Sequence, residues 1–135
     1  MSESLNPKPH VAILEDHEDT REMLRVGLET DFSITLYGDA AELLAALEPG
    51  KFSAIVADIM LPGLDGFGFI EAIRRDFRLA NLCVIGVTAL AMPTDREKGI
   101  AAGFTDYLVK PITPNDIKSV LWRCLLNPPG NPSAG

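Results

Sequence analysis

Short apolar runs alternate with helical patterns along most of this chain, and this alternation constrains the fold more than any other feature. The apolar runs predict five strands, and they fall at residues 11–14, 33–37, 54–57, 82–87 and 107–109. After each run, apolar residues recur at the spacing of an amphipathic helix. Strands that alternate with helices predict right-handed βαβ crossovers and a parallel sheet with helices on both faces.

Helix-capping signals support this division of the chain. Asp39 and Glu42 have the spacing of a capping box, and Asp65 is placed to cap the third helix. Thr113 precedes Pro114, a residue favoured at the first helical position. The sequence therefore predicts where the second, third and fifth helices begin.

Length and composition agree with one folded domain. The chain has 135 residues, of which 47% are hydrophobic, enough to bury a core. Residues 10–126 are predicted to form the domain, residues 1–9 a flexible tail, and residues 127–135 a second tail or a linker stub. The net charge of −7 argues against nucleic-acid binding. We see neither a signal peptide nor a membrane-spanning apolar run, so we expect a cytoplasmic protein that does not bind membranes.

The chain contains two cysteines, Cys83 and Cys124. Both lie in apolar segments, and they do not form a Cys-x-x-Cys motif. Because disulfides are uncommon in reducing compartments, we expect two buried free thiols.

Polar residues follow or close four of the predicted strands. Glu15 and Asp16 follow the first strand, Asp58 the third, Thr88 the fourth and Lys110 the fifth. Ligands of such sheets bind beyond the carboxyl ends of the strands, so these residues are expected to converge on one edge. Burial of an unpaired acid costs free energy, which makes Asp58 the strongest candidate for a functional residue.

Four segments together resemble the receiver domain of two-component response regulators. They read Leu-Glu-Asp at 14–16, Ala-Asp-Ile-Met-Leu-Pro-Gly-Leu-Asp-Gly at 57–66, Val-Thr-Ala at 87–89 and Asp-Tyr-Leu-Val-Lys-Pro at 106–111. Their order and spacing make a strong signal, although each segment alone would be weak. Within the family, residues 88–111 look most like receivers of hybrid histidine kinases and related single-domain regulators. The resemblance implies an α/β, doubly wound (βα)5 flavodoxin-like sandwich of three layers, with strand order 2-1-3-4-5.

The resemblance also implies a chemistry. Asp58 would be the phosphoacceptor, forming an aspartyl phosphate by in-line attack on a phosphoryl donor. Glu15, Asp16, Asp58 and the backbone carbonyl of Met60 would hold Mg²⁺ or Mn²⁺, which offsets the repulsion between carboxylate and phosphoryl group. Lys110 would neutralise a phosphoryl oxygen.

The remaining site residues follow from the same resemblance. Thr88 and Ala89 would bind phosphoryl oxygens together with Lys110. A cis peptide is implied before Pro111. In the switch that the family uses, Thr88 moves toward the phosphoryl group and Tyr107 follows it inward.

A sensor histidine kinase or a histidine phosphotransfer protein is the implied donor, and a downstream protein is the implied target. We expect the target to bind the surface of the fourth helix, fifth strand and fifth helix, through which the chain could also form a homodimer. Met92 and Trp122 are interpreted as exposed apolar residues of this surface. Alternatively, Trp122 lies flat over neighbouring side chains. The chain is expected to be either a stand-alone regulator or part of a longer protein.

Three other functions share parts of the pattern. A Mg²⁺-dependent phosphohydrolase of the haloacid dehalogenase type needs a second acid where this chain has Met60. A flavodoxin needs a phosphate loop where the acids of residues 15–19 would repel phosphate. A degenerate receiver, which only docks to partners, is opposed by the complete set of acceptor, hydroxyl and lysine.

We expect no enzyme activity beyond self-catalysed phosphoryl transfer and slow autodephosphorylation. Met60 lies two residues after the acceptor Asp58, and Leu90 lies two residues after Thr88. Both side chains are expected to flank the site. Neither can orient a hydrolytic water, because neither carries a strong hydrogen-bonding group.

Overall fold

The computed structural model of the chain describes residues 8–89 and 93–129, so most of both predicted tails lies outside it. Within these residues the strands are β1 (His10–Leu14), β2 (Ser33–Tyr37), β3 (Ala54–Asp58), β4 (Cys83–Thr88) and β5 (Asp106–Val109). The helices are α1 (Glu18–Leu28), α2 (Ala40–Ala46), α3 (Gly66–Arg74), α4 (Pro93–Ala102) and α5 (Pro114–Leu126), with a short 3-10 helix at Phe77–Leu79. All strands pair in parallel in the order β2-β1-β3-β4-β5, which confirms the predicted fold.

The sheet is covered on both faces, as its continuous apolar strands require. Every residue of β3 and β4 is buried, and alternate residues of each strand point to opposite faces. Val56 packs in a core with α1 and α5, whereas its neighbour Ile55 packs in a core with α2 and α3. Among the described residues, no helix is long and apolar enough to cross a membrane.

The helix starts follow the predicted capping residues. Asp39 and Asp65 each accept a hydrogen bond from the backbone N–H two residues later. Of the capping box predicted at α2, the structure shows the hydrogen bond that the side chain of Asp39 accepts from the helix backbone. At α5, Thr113 and Asp116 form a complete capping box, and Pro114 occupies the first helical position.

Helices α1 and α5 approach each other closely at Gly27. A Cβ atom at this position would lie 2.5 Å from Cβ of Pro114, a distance that real Cβ contacts do not reach. Glycine inside a helix weakens that helix, but here it permits the contact between two helices.

The prediction of free thiols is wrong: Cys83 and Cys124 form a disulfide. Their Cα atoms are 6.2 Å apart, within the range that a disulfide spans. The bridge joins the first residue of β4 to the last turns of α5. The two cysteines are 41 residues apart in the chain, so only the docking of α5 on the sheet brings them together.

Candidate functional site

The carboxyl edge of the sheet collects the polar residues that the sequence singled out. Glu15 is 3% exposed, Asp58 5% and Thr88 0%, although all three are polar or charged. Buried carboxylates are tolerated when a cation pairs with them. The arrangement therefore calls for positive charge between Glu15 and Asp58.

Lys110 supplies that charge. Its Nζ lies 2.8 Å from Oδ2 of Asp58 and 3.7 Å from Oε1 of Glu15. Burial by itself lowers the pKa of Lys110, but the hydrogen bond and charge of Asp58, with smaller contributions from Glu15 and Asp16, outweigh burial and raise it. The backbone N–H of Lys110 donates to the carbonyl of Thr88 at 2.7 Å, which ties the end of β5 to the end of β4.

The second oxygen of the Asp58 carboxylate is held by the loop that follows it. Oδ1 accepts a hydrogen bond of 2.9 Å from the backbone N–H of Met60. One oxygen thus faces an ammonium group and the other a backbone donor. These contacts fix the orientation of the carboxylate.

Two acids and a histidine cluster after β1. Nδ1 of His17 lies 3.0 Å from Oε2 of Glu15 and 3.0 Å from Oδ1 of Asp16. The hydrogen bond with Glu15, followed by the charges of Asp16 and Glu15, raises the pKa of His17. The side chain of His17 is 72% exposed, yet its ring contacts both acids.

The donor set of this edge fits a hard divalent cation. Glu15, Asp16 and His17 each offer a ligand atom, and these atoms lie within 4.8 Å of one another. Asp58 lies outside this group, and its two oxygens contact Nζ of Lys110 and the backbone N–H of Met60. Carboxylate oxygens are the ligands that Mg²⁺ prefers, whereas an imidazole suits transition metals better.

The loop that carries Glu15 is anchored by a residue that sequence analysis missed. Arg21, on the first turns of α1, donates a hydrogen bond of 2.8 Å to the backbone carbonyl of Glu15. Gly38 leaves room for this guanidinium, because a Cβ there would lie 3.0 Å from Nη1. The backbone N–H of Glu15 donates to Tyr37 at 2.9 Å, so both polar groups of its backbone are bonded.

The predicted cis peptide is present between Lys110 and Pro111. Of the other predicted phosphate-binding residues, Thr88 ends β4 and Ala89 is the exposed residue that follows it. Met92 and Leu90 lie outside the described residues.

The ring of Tyr107 packs inward, against the face of the sheet that α3 covers. It makes an edge contact with Phe104, with ring centroids 5.6 Å apart. Added Cβ atoms at Gly86 and Gly99 would lie 2.9 Å and 2.7 Å from the ring. Two glycines therefore form the slot that holds Tyr107, and this explains Gly99 inside α4.

The interpretation of Trp122 as part of the surface formed by α4, β5 and α5 is corrected. Its Nε1 donates a hydrogen bond of 3.3 Å to Oδ2 of Asp31, and its ring centroid lies 4.9 Å from that of Phe32. Both partners lie in the segment between α1 and β2. The residue one turn earlier, Lys118, also contacts Asp31. This row of α5 faces α1, so Trp122 lies over neighbouring side chains while remaining 38% exposed.

The surface of α4, β5 and α5 carries an ion-pair cluster instead. Asp106, the first residue of β5, binds Arg96 of α4 at 2.8 Å and Arg123 of α5 at 3.0 Å. Two guanidinium groups share one carboxylate, so the cluster has a net positive charge.

Comparison with protein families matches residues 11–121 to the response regulator receiver domain. An uncharacterised 14.6 kDa protein of Leptolyngbya boryana is 36% identical over 88% of this chain and 92% of its own length. Response regulator Rre1 of Synechocystis is 30% identical over 91% of this chain. The chain spans 54% of Rre1 and 44% of a probable transcriptional regulator of Guillardia theta, about half the length of these relatives.

Solved structures show the same fold. The chemotaxis response regulator CheY4 of Vibrio cholerae has a TM-score of 0.78 and 26% identity, over 86% of this chain and 98% of its own. The receiver domain of sensor histidine kinase PA1611 of Pseudomonas aeruginosa has a TM-score of 0.77 and 27% identity, over 89% of this chain and 99% of its own. That structure is described with a magnesium ion coordinated in its active-site cleft.

Proposed function

This chain belongs to the response regulator receiver family of two-component signalling, and from that premise we propose that it is a switch that accepts a phosphoryl group on Asp58. Phosphorylation and Mg²⁺ binding are typical of the family. The observation that carries the proposal is the buried carboxylate of Asp58, whose Oδ2 lies 2.8 Å from Nζ of Lys110 at the carboxyl edge of the sheet.

The geometry supports a short reaction sequence. A carboxylate oxygen of Asp58 attacks the phosphorus of a phosphohistidine or acyl phosphate, and the bond to the leaving group breaks with its electron pair. Lys110 and the N–H of Met60 stabilise the charge that develops. Glu15, Asp16, Asp58 and the Met60 carbonyl would hold Mg²⁺, whose charge offsets the repulsion between acceptor and phosphoryl group.

Receiver domains interact with histidine kinases and downstream effectors, and we propose a separate surface for each. Beside Asp58 lies a cavity of about 210 Å³, whose rim includes Met23 and Ile112. Met23 is 45% exposed and Val26, also on α1, 56% exposed. These apolar groups suit docking of a histidine kinase or histidine phosphotransfer protein, and the surface of α4, β5 and α5 suits a downstream target or a second copy. We place this exchange in the cytoplasm.

Intact mass after incubation with acetyl phosphate and Mg²⁺ tests the proposal. The wild-type chain is expected to gain one phosphoryl group, and Asp58→Asn none. Asp76→Asn is the matched control, since Asp76 caps the 3-10 helix before β4 and binds Arg78 at the opposite edge of the sheet. Chelation of Mg²⁺ is expected to abolish the gain. No gain in a folded wild-type chain would favour a docking module that is independent of phosphate, and gain in Asp58→Asn would exclude Asp58 as the acceptor.

The same measurement, continued after removal of the donor, follows the loss of phosphate. We propose slow autodephosphorylation, because the thioether of Met60, a half-exposed side chain beside the acceptor, cannot orient a water molecule. Met60→Asn is expected to accelerate the loss about tenfold or more. Rapid loss from the wild-type chain would contradict the proposal and would favour a phosphohydrolase.

A further inference from the structure

The disulfide of Cys83 and Cys124 is buried unequally. Cys83 is 1% exposed and is paired with Ala54 inside the sheet, whereas Cys124 is 6% exposed on α5. A surface cavity of about 190 Å³ reaches Cys124, and its lining residues are Thr105, Asp106, Val120, Arg123, Cys124 and Asn127. Cavities of roughly 150 Å³ hold molecules as large as benzene, so this one admits a thiol-bearing side chain.

Two charged residues line this cavity, Arg123 and Asp106, and Arg96 adds a second positive charge beside them through its ion pair with Asp106. The side chain of Arg123 is 66% exposed. Asp106 neutralises only one of the two arginines that bind it, Arg96 and Arg123. Positive charge attracts anions and stabilises thiolates, the form of a thiol that attacks disulfides.

From this juxtaposition we propose that Cys124 is a thiol-exchange site, at which a small anionic thiol opens the bridge to Cys83. The site is independent of phosphoryl transfer, because it lies at the opposite end of β4 from Thr88. The bridge ties β4, which ends at the phosphate-binding edge, to α5, which forms part of the proposed target surface. Opening it removes the covalent tie between the last turns of α5 and the sheet.

The exchange proceeds in two balanced steps. The thiolate of the small molecule attacks Sγ of Cys124, a new S–S bond forms, and the electron pair of the old bond passes to Sγ of Cys83, which takes up a proton. A second thiolate attacks the outer sulfur of the mixed disulfide. This step releases the oxidised small molecule and leaves Cys124 as a thiol, so the bridge is reduced by two electrons.

Single-cysteine variants test which sulfur is accessible. Cys83→Ser leaves Cys124 as the thiol, and Cys124→Ser leaves Cys83. Each native variant is incubated with oxidised glutathione, and the mixed disulfide is followed by intact mass. We expect Cys124 to react at least about tenfold faster than Cys83, because exchange depends on the access of oxidised glutathione to the attacking cysteine thiolate. Equal rates in the two variants would overturn the proposal.

A second test uses the wild-type chain, so it does not depend on whether the variants fold. The bridge is opened with reduced glutathione, free thiols are trapped with iodoacetamide, and peptides are mapped. We expect the glutathione adduct on Cys124 and opening faster than global unfolding. An adduct on Cys83, an opening rate equal to the unfolding rate, or a purified chain that never forms the bridge would overturn the proposal.

The charge of the rim is tested separately. Arg123→Gln is expected to lower the opening rate with glutathione about threefold relative to the rate with neutral 2-mercaptoethanol. Arg25→Gln is the matched control, since Arg25 is an arginine of α1 that pairs with Glu22 and Glu29. If Arg123→Gln leaves the ratio of the two opening rates unchanged, that result would contradict the preference for an anionic thiol.

Discussion

Replacement of Lys110 by methionine is expected to slow phosphorylation of Asp58 by acetyl phosphate about 10²–10³-fold. Methionine keeps the length and apolar volume of the side chain but removes the ammonium group, which lies 2.8 Å from Oδ2 of Asp58. Without that charge, the phosphoryl oxygens lose a fixed cation in a site where water screens poorly. Initial rates from intact mass, measured at equal donor and Mg²⁺ concentrations, check the prediction.

Lys118→Met is the matched control for this experiment. Nζ of Lys118 lies 3.5 Å from Oδ1 of Asp31 on the other side of α5, far from the acceptor, so its loss is expected to leave the rate unchanged. An equal loss of rate in both variants would show a general effect of lost charge. An unchanged rate in Lys110→Met would contradict the role of Lys110.

The ion pair of Lys110 also has a defined pH dependence. Because the pKa of Lys110 is raised in the folded chain, its contribution to stability is fully present below the unfolded pKa, about 10.5. The contribution is lost only as the pH rises through the folded pKa. The ion pair of Lys110 and Asp58 is therefore expected to persist throughout the neutral pH range.

Reduction of the disulfide between Cys83 and Cys124 is expected to lower the free energy of unfolding by about 3–4 kcal/mol. The bridge closes a chain segment with a sequence separation of 41 residues, and closure of such a loop limits the conformations of the unfolded chain. The folded packing need not change, because both cysteines already pack in the core cluster with their apolar neighbours. Urea denaturation of the oxidised and reduced wild-type chain measures the difference.

The double variant Cys83→Ser, Cys124→Ser provides the control for reductant. Its unfolding midpoint is expected not to respond to reductant, whereas the midpoint of the wild-type chain falls. If the wild-type midpoint stays the same with and without reductant, the bridge does not form in solution or does not constrain the unfolded chain.

The sheet and its polar edge could be predicted from the sequence because both depend on local patterns. Apolar runs mark the strands, and a parallel arrangement alone brings the residues after their carboxyl ends together. Asp58 and Lys110, 52 residues apart in the chain, therefore meet as predicted. Thr113 caps α5 for an equally local reason, the spacing to Asp116.

Features that depend on how helices dock could not be predicted from the sequence. The docking of α5 decides that Cys124 meets Cys83 and that Trp122 turns toward Phe32. Helical spacing places a residue on a face but leaves open which neighbour that face meets. For Gly99 the signal was present, a glycine where a helix should avoid one, but its partner Tyr107 became apparent only in the folded chain.

The central claim is that the phosphoryl group is carried by the carboxylate of Asp58, and reduction with borohydride tests it most directly. Borohydride converts an aspartyl phosphate into homoserine and leaves free carboxylates intact, so peptide mapping of the phosphorylated chain locates the acceptor. The account predicts that Asp58, and no other aspartate, is converted, and only after treatment with donor and Mg²⁺. Conversion of another residue, such as Asp16, or a phosphorylated chain with no conversion at all, would contradict it.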